Sequence, residues 1–124
     1  MQSPRKALVV DDEEILRDLV TEIAELEGFQ VTTCVNGRQA LELVQQSPDD
    51  ISLVITDLEM PSMTGPELIH ALREQGSQVP IILMSGNPQK LGQATVELSG
   101  CTIRTIGKPF QLAEFRELII ATTA

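Results

Sequence analysis

Positive charge is scarce in this chain: 9 Lys+Arg face 18 Asp+Glu, for a formal charge of −9. Most of such a surface repels a polyanion, which excludes direct nucleic-acid binding as an expectation. Cysteine is scarcer. Cys34 and Cys101 stand far apart with no CxxC or Cys/His spacing, which argues against zinc or redox chemistry and for buried free thiols in a reducing compartment. Long apolar runs are missing too. Stretches such as "IILM" fall far short of the ~20 residues of a membrane span, and "MQSPRKALVV" lacks the small-residue cleavage site of a signal peptide. The expected location is cytoplasmic, with no membrane partner. No Gly/Ser/Pro-rich, repeated or low-complexity stretch offers a linker, so the 124 residues are expected to form one domain, 1–124, with a core of about 5–122. Trp and Tyr are absent and Phe occurs three times.

What is present is a 42% hydrophobic chain, long enough to bury roughly two thirds of its unfolded surface in one core. Lys6–Val10 ends in consecutive apolar residues and predicts a strand buried on both faces. Ile15, Leu16, Leu19, Val20, Ile23 and Leu26 then recur at spacings of one, three and four, predicting one helix face with Gly28 as the stop. The unit repeats. "FQVTTCV" predicts the second strand, with Asn36 as N-cap of a helix "GRQALELVQQ" that faces the core through Ala40, Leu41 and Val44. "DISLVITD" predicts the third strand, and a loop with Pro61 and Gly65 leads into "PELIHALREQ", where Pro66 suits the first turn. "VPIILMS", residues 88–98, "CTIRTIG" and "QLAEFRELIIAT" complete the alternation. Gly92 weakens the fourth helix, and Leu112, Phe115, Leu118 and Ile119 are expected to face inward from the fifth.

Strands alternating with helices imply right-handed crossovers and an α/β fold, a parallel sheet covered on both faces. In such sheets, ligands bind beyond the carboxyl ends of the strands. Those ends carry Asp11 and Asp12 after the first strand, Asp57 after the third, Ser85 after the fourth and Lys108 after the fifth. Crowded carboxylates repel by about 1 kcal/mol at 4 Å in water and about 4 at an effective dielectric of 20, so the cluster calls for a cation. Oxygen-only ligands open to water suit Mg²⁺ or Mn²⁺. Asp57 is then a candidate carboxylate nucleophile toward phosphorus, with Lys108 and the Ser85 hydroxyl holding phosphoryl oxygens.

The segments "VVDDEE", "VITDLEMPSMTGPEL", "IILMSG" and "GKPF" together resemble the receiver domain of two-component response regulators over essentially the whole chain. The resemblance implies a flavodoxin-like (βα)5 three-layer sandwich of strand order 2-1-3-4-5. It implies Asp57 as phosphoacceptor, served by a histidine kinase or histidine phosphotransfer domain. Mg²⁺ would be held by Asp12, Asp57 and the Glu59 backbone carbonyl, with Asp11 in the outer shell and Ser85 and Lys108 on the phosphoryl group. It further implies a cis Lys108-Pro109 peptide and a downstream partner on the face of helix 4, strand 5 and helix 5. Such a domain is no turnover enzyme; it promotes only its own phosphorylation and dephosphorylation. After "ATTA" no effector domain follows, which implies a single-domain regulator or a receiver excised from a longer protein. "GPEL" and "MSG" look like receivers of hybrid sensor kinases.

One position departs from the pattern: Thr105 stands where receivers usually carry Tyr or Phe, three residues before the lysine. That leaves backbone shifts of the Ser85–Asn87 loop and the fourth helix as the expected signalling route. Glu13 and Glu14 are read as first-turn acids complementing the helix dipole by about 0.3–1 kcal/mol. Glu59 is balanced between a solvated loop acid and a residue governing water access. His70 is read as a surface or boundary residue, and Gly65 and Gly86 as positions of close backbone approach. Two alternatives remain at this point. A haloacid-dehalogenase-type hydrolase also uses Asp, a hydroxyl, Lys and Mg²⁺, but wants a second Asp where Glu59 stands. An FMN-binding flavodoxin shares the strand pattern but needs a phosphate loop where Asp11 to Glu14 would repel the phosphate.

Overall fold

Continuous apolar strands can only be stable where both sheet faces are covered, and the chain meets that demand by alternation. The computed structural model describes residues 5–124; residues 1–4, which the single-domain expectation includes, lie outside them. Its elements are β1 (Arg5–Val10), α1 (Glu14–Leu26), β2 (Phe29–Cys34), α2 (Gly37–Gln46), β3 (Ile51–Asp57), α3 (Gly65–Glu74), β4 (Ile81–Ser85), α4 (Pro88–Glu97), β5 (Arg104–Gly107) and α5 (Leu112–Thr123). All strand pairs are parallel, in the order β2-β1-β3-β4-β5, as expected.

Period-two alternation divides the interior into two cores. Leu8, Val10, Val54, Ile81 and Leu83 point to one face and pack with Ala40 and Val44 of α2, Leu68, Ile69 and Leu72 of α3, and Ala94 of α4. Ala7, Val9, Leu53, Ile55, Ile82 and Met84 point to the other, against Val20, Ile23 and Ala24 of α1 and Phe115 and Ile119 of α5. Each such Val, Leu, Ile, Met or Phe, fully buried, contributes about 1.5–3 kcal/mol relative to exposure, and each alanine less.

Several sequence expectations shift. On α1, Ile15 (87% exposed), Leu19 and Leu26 lie in solvent, while Ala24 is buried. At 100° per residue those three sit within about 40° of one another, a stripe beside the buried face rather than on it. Leu112 is half exposed at the start of α5, whereas Phe115 and Ile119 are buried and Phe115 packs against Phe110 with ring centroids 4.6 Å apart. β4 begins at Ile81, since Pro80 has no N–H for the ladder, though its carbonyl accepts from the Val54 N–H. Cys101 belongs to the turn closing α4, its N–H donating to the Leu98 carbonyl, and it is only partly buried; Cys34 is buried, and both thiols are free.

Two local devices aim the strand ends. Gly65 begins α3 hard against β3: a Cβ there would lie 2.6 Å from the Asp57 carbonyl oxygen and 2.7 Å from Leu83 Cδ1. At the opposite end of the sheet, the Arg73 guanidinium donates to the carbonyls of Ser77, Val79 and Thr102, tying the approaches to β4 and β5 to α3. No helix among the described residues is long and apolar enough to cross a membrane.

Candidate functional site

Strand register brings the chemistry together. Val10 pairs with Thr56, Asp57 with Met84 and Ser85 with Gly107, so the residues at or just beyond these partners lie in a row along one sheet edge. Asp11, Asp12 and Asp57 each offer a carboxylate oxygen, all within 4.8 Å of one another. Lys108 Nζ lies 2.8 Å from Asp57 Oδ1. The peptide between Lys108 and Pro109 is cis, as the "GKPF" motif implies. Asp12, Glu13, Asp57, Glu59, Ser85, Gly86, Asn87 and Lys108 line an open basin of about 440 Å³. A larger hollow of about 560 Å³ lies at the far end of the strands, and Asp49 is the one charged residue on its wall.

Burial divides the acids. Asp11 is fully buried and Asp57 nearly so, whereas Asp12 is exposed. Asp11 Oδ1 accepts the Glu13 N–H at 2.9 Å, while Asp11 Oδ2 is buried with no partner. Burial pushes the Asp11 carboxyl from 3.8 up to about 6, against the pull of the Glu13 hydrogen bond and with a further push from the Asp57 charge. Burial also raises Asp57, opposed by the hydrogen bond and charge of Lys108. Three carboxylates with one ammonium, one buried oxygen lacking any donor, and no sulfur or imidazole make a donor set suited to a hard divalent cation. The residues present therefore fit the Mg²⁺ that the sequence calls for.

The Ser85 hydroxyl, almost fully buried, accepts the Asn87 N–H at 3.0 Å and reaches the Asn87 carbonyl at 3.4 Å. Asn87 in turn caps α4 by accepting the Lys90 N–H at 3.1 Å. Glu13 is the residue before α1 and makes no side-chain cap, so only Glu14 stands within the first turn. Glu59 is ion-paired with Lys90 at 2.9 Å instead of being simply solvated. His70 is exposed, as expected. Gly86 faces no close neighbour, its hypothetical Cβ lying 3.9 Å from the nearest atom, so the close-approach role belongs to Gly65 alone of the two. Sequence reasoning placed Asn87 in the signalling loop but missed its capping role, and missed Lys90. "NP" before a helix was a legible capping signal for the first; nothing in sequence links Lys90 to Glu59, which lie in different units of the fold.

Residues 7–120 match the family described as response regulator receiver domain. The chain is 31% identical over 115 residues to sporulation initiation phosphotransferase F of Bacillus subtilis, covering 92% of this chain and 90% of that one. It is 41% identical over 97 residues to a protein-glutamate methylesterase/protein-glutamine glutaminase of a Nocardioides species, covering 77% of this chain but 26% of the relative. The chain thus spans about a quarter of that relative, and 47% of a probable transcriptional regulatory protein of Picosynechococcus. Among solved structures, the chemotaxis protein CheY4 of Vibrio cholerae superposes with a TM-score of 0.82 at 29% identity, over 97% of this chain and 99% of that one. These relatives give no support to a haloacid-dehalogenase hydrolase. A family match over nearly the whole described chain, with the acidic cluster and lysine on the same sheet edge, shows that the chain belongs to the receiver domains of two-component response regulators.

Proposed function

We propose that Asp57 accepts a phosphoryl group from the phosphohistidine of a histidine kinase or histidine phosphotransfer domain. The observation that carries this reading is Asp57 itself: almost fully buried, 2.8 Å from the Lys108 ammonium, beside the carboxylates of Asp11 and Asp12, and on the wall of the open basin. A carboxylate oxygen of Asp57 attacks phosphorus, the P–N bond to the donor imidazole breaks, and the imidazole leaves with its electron pair and takes up a proton. Lys108 then neutralises charge on the phosphoryl oxygens, and Ser85 turns its hydroxyl from the long contact with the Asn87 carbonyl to donate to one of them. Asp12, Asp57 and the Glu59 backbone carbonyl would hold Mg²⁺, or Mn²⁺, with Asp11 in the outer shell. The cation, when bound, neutralises the carboxylates and the incoming phosphoryl oxygens.

The donor must approach over the open basin, and α1, which begins one residue after Glu13 of the basin wall, exposes an apolar stripe of Ile15 and Leu19. That stripe suits the apolar face of a donor helix. For the downstream partner we propose the face of α4, β5 and α5. Val96 and Leu112 are exposed there, and Thr105, Ile106, Leu118 and Ala121 line a shallow groove with Glu114 and Glu117 on its wall. The domain acts in the cytoplasm as a signalling substrate and does not turn over a free metabolite.

Incubation with Mg²⁺ and a small acyl phosphate should add the mass of one phosphoryl group, as a base-labile adduct that maps to Asp57. Labelling of Asp57→Asn at the wild-type rate overturns the assignment. Sustained turnover of a free phosphomonoester would instead favour a hydrolase.

A further inference from the structure

Helix α4 is the helix least tied to the core: Ala94 is its one buried residue, Val96 is 74% exposed, and Gly92 lowers its intrinsic stability. Two polar ties hold its N-terminus. One is the Asn87 cap; the other is Lys90 Nζ on Glu59 Oε1 at 2.9 Å, joining α4 to the β3–α3 loop. Lys90 stands in the first turn, at the positive end of the helix dipole, as Arg38 does in α2, whereas α1, α3 and α5 place Glu14, Glu67 and Glu114 there. Glu59 offsets the unfavourable charge of Lys90 at that end. Glu59 also lines the same basin as Asp57, so its carboxylate feels any charge added to that residue. Lys108 offers it no alternative cation, being engaged with Asp57.

We propose that the Glu59–Lys90 ion pair is a charge-operated latch, holding α4 against the β3–α3 loop while Asp57 is free and loosening when Asp57 is phosphorylated. The inference rests on the reading of Asp57 as phosphoacceptor. Phosphorylation exchanges a carboxylate of charge −1 for a group of about −2 with three strong acceptors. Glu59 is repelled by that charge, and the Lys90 ammonium is drawn toward the phosphoryl oxygens. Each effect weakens the contact between them, and α4 loses one of its two ties. The latch acts on α4 from the basin side, without an aromatic ring at position 105.

Hydrogen exchange across residues 88–98, read with phosphoryl stoichiometry by intact mass in the same samples, tests the latch. In the unmodified state, Lys90→Met and Glu59→Gln should each exchange about 1.5- to 5-fold faster than wild type in α4, the range a half-exposed ion pair contributes. Phosphorylation should speed wild-type α4 by a similar factor and the two variants little further. A phosphorylated wild type with unchanged α4 exchange overturns the latch, as does a variant that responds to phosphorylation as fully as wild type. Absence of any adduct on wild type overturns the phosphoacceptor reading itself, so the two failures are distinguishable.

Discussion

Replacing Asp11 by Asn isolates the energetic cost of assembling the acidic cluster. The Asp11 carboxyl is fully buried, has one oxygen without a donor, and titrates near 6 instead of 3.8. Between those two values the folded chain holds a proton that the unfolded chain has released, so stability falls as pH rises from about 4 to about 6 and stays lower above that. A displacement of about 2 pH units corresponds to about 3 kcal/mol, an upper bound for what ionised Asp11 costs the metal-free fold at neutral pH. Asn keeps the acceptor for the Glu13 N–H and turns an amide toward carboxylates that lie within 4.8 Å. Urea unfolding in EDTA at pH 7.5 should find Asp11→Asn more stable than wild type by about 2–3 kcal/mol, with the gap closing as pH falls toward 4. Mg²⁺ at a hundredfold excess over its Kd should return about 2.7 kcal/mol to wild type and less to the variant. A variant less stable than wild type at pH 7.5 in EDTA, or a gap indifferent to pH, would refute this account of the site.

Two further substitutions test the scaffold. Gly65→Ala sets a methyl against the Asp57 carbonyl and Leu83, so it should lose about 1–3 kcal/mol in urea unfolding and slow acyl-phosphate labelling; wild-type stability would show that α3 can back away at no cost. Arg73→Met leaves the carbonyls of Ser77, Val79 and Thr102 without their donor, and should cost about 1.5–3 kcal/mol with faster hydrogen exchange at the starts of β4 and β5. An unchanged unfolding midpoint would make the guanidinium ornamental.

The parts of this molecule readable in its sequence are those written in local pattern. Consecutive apolar runs marked β1, β3 and β4, and the residues just after those runs come together as the candidate site, because strand ends of a parallel sheet share an edge. Exposure on α1 was not readable: six apolar residues fit one broad face, and only the packing shows that Ala24 lies beneath while Ile15, Leu19 and Leu26 stay out. Arg73 and the Glu59–Lys90 pair were invisible for a different reason. Each joins segments from different βα units, and a single sequence records no distance between them.

The two cores have a consequence for independence of function. The sheet works as a partition: Ala94 and Leu98 settle on the side shared with α2 and α3, whereas the anchors of α1 and α5 lie on the other. A helix that shifts on the first side therefore repacks a layer that α1 does not touch. On the readings proposed above, substitutions on the outer stripe of α1 would alter donor recognition without repacking the layer of α4, whereas α5, which shares the layer of α1, links the donor side to the proposed output face.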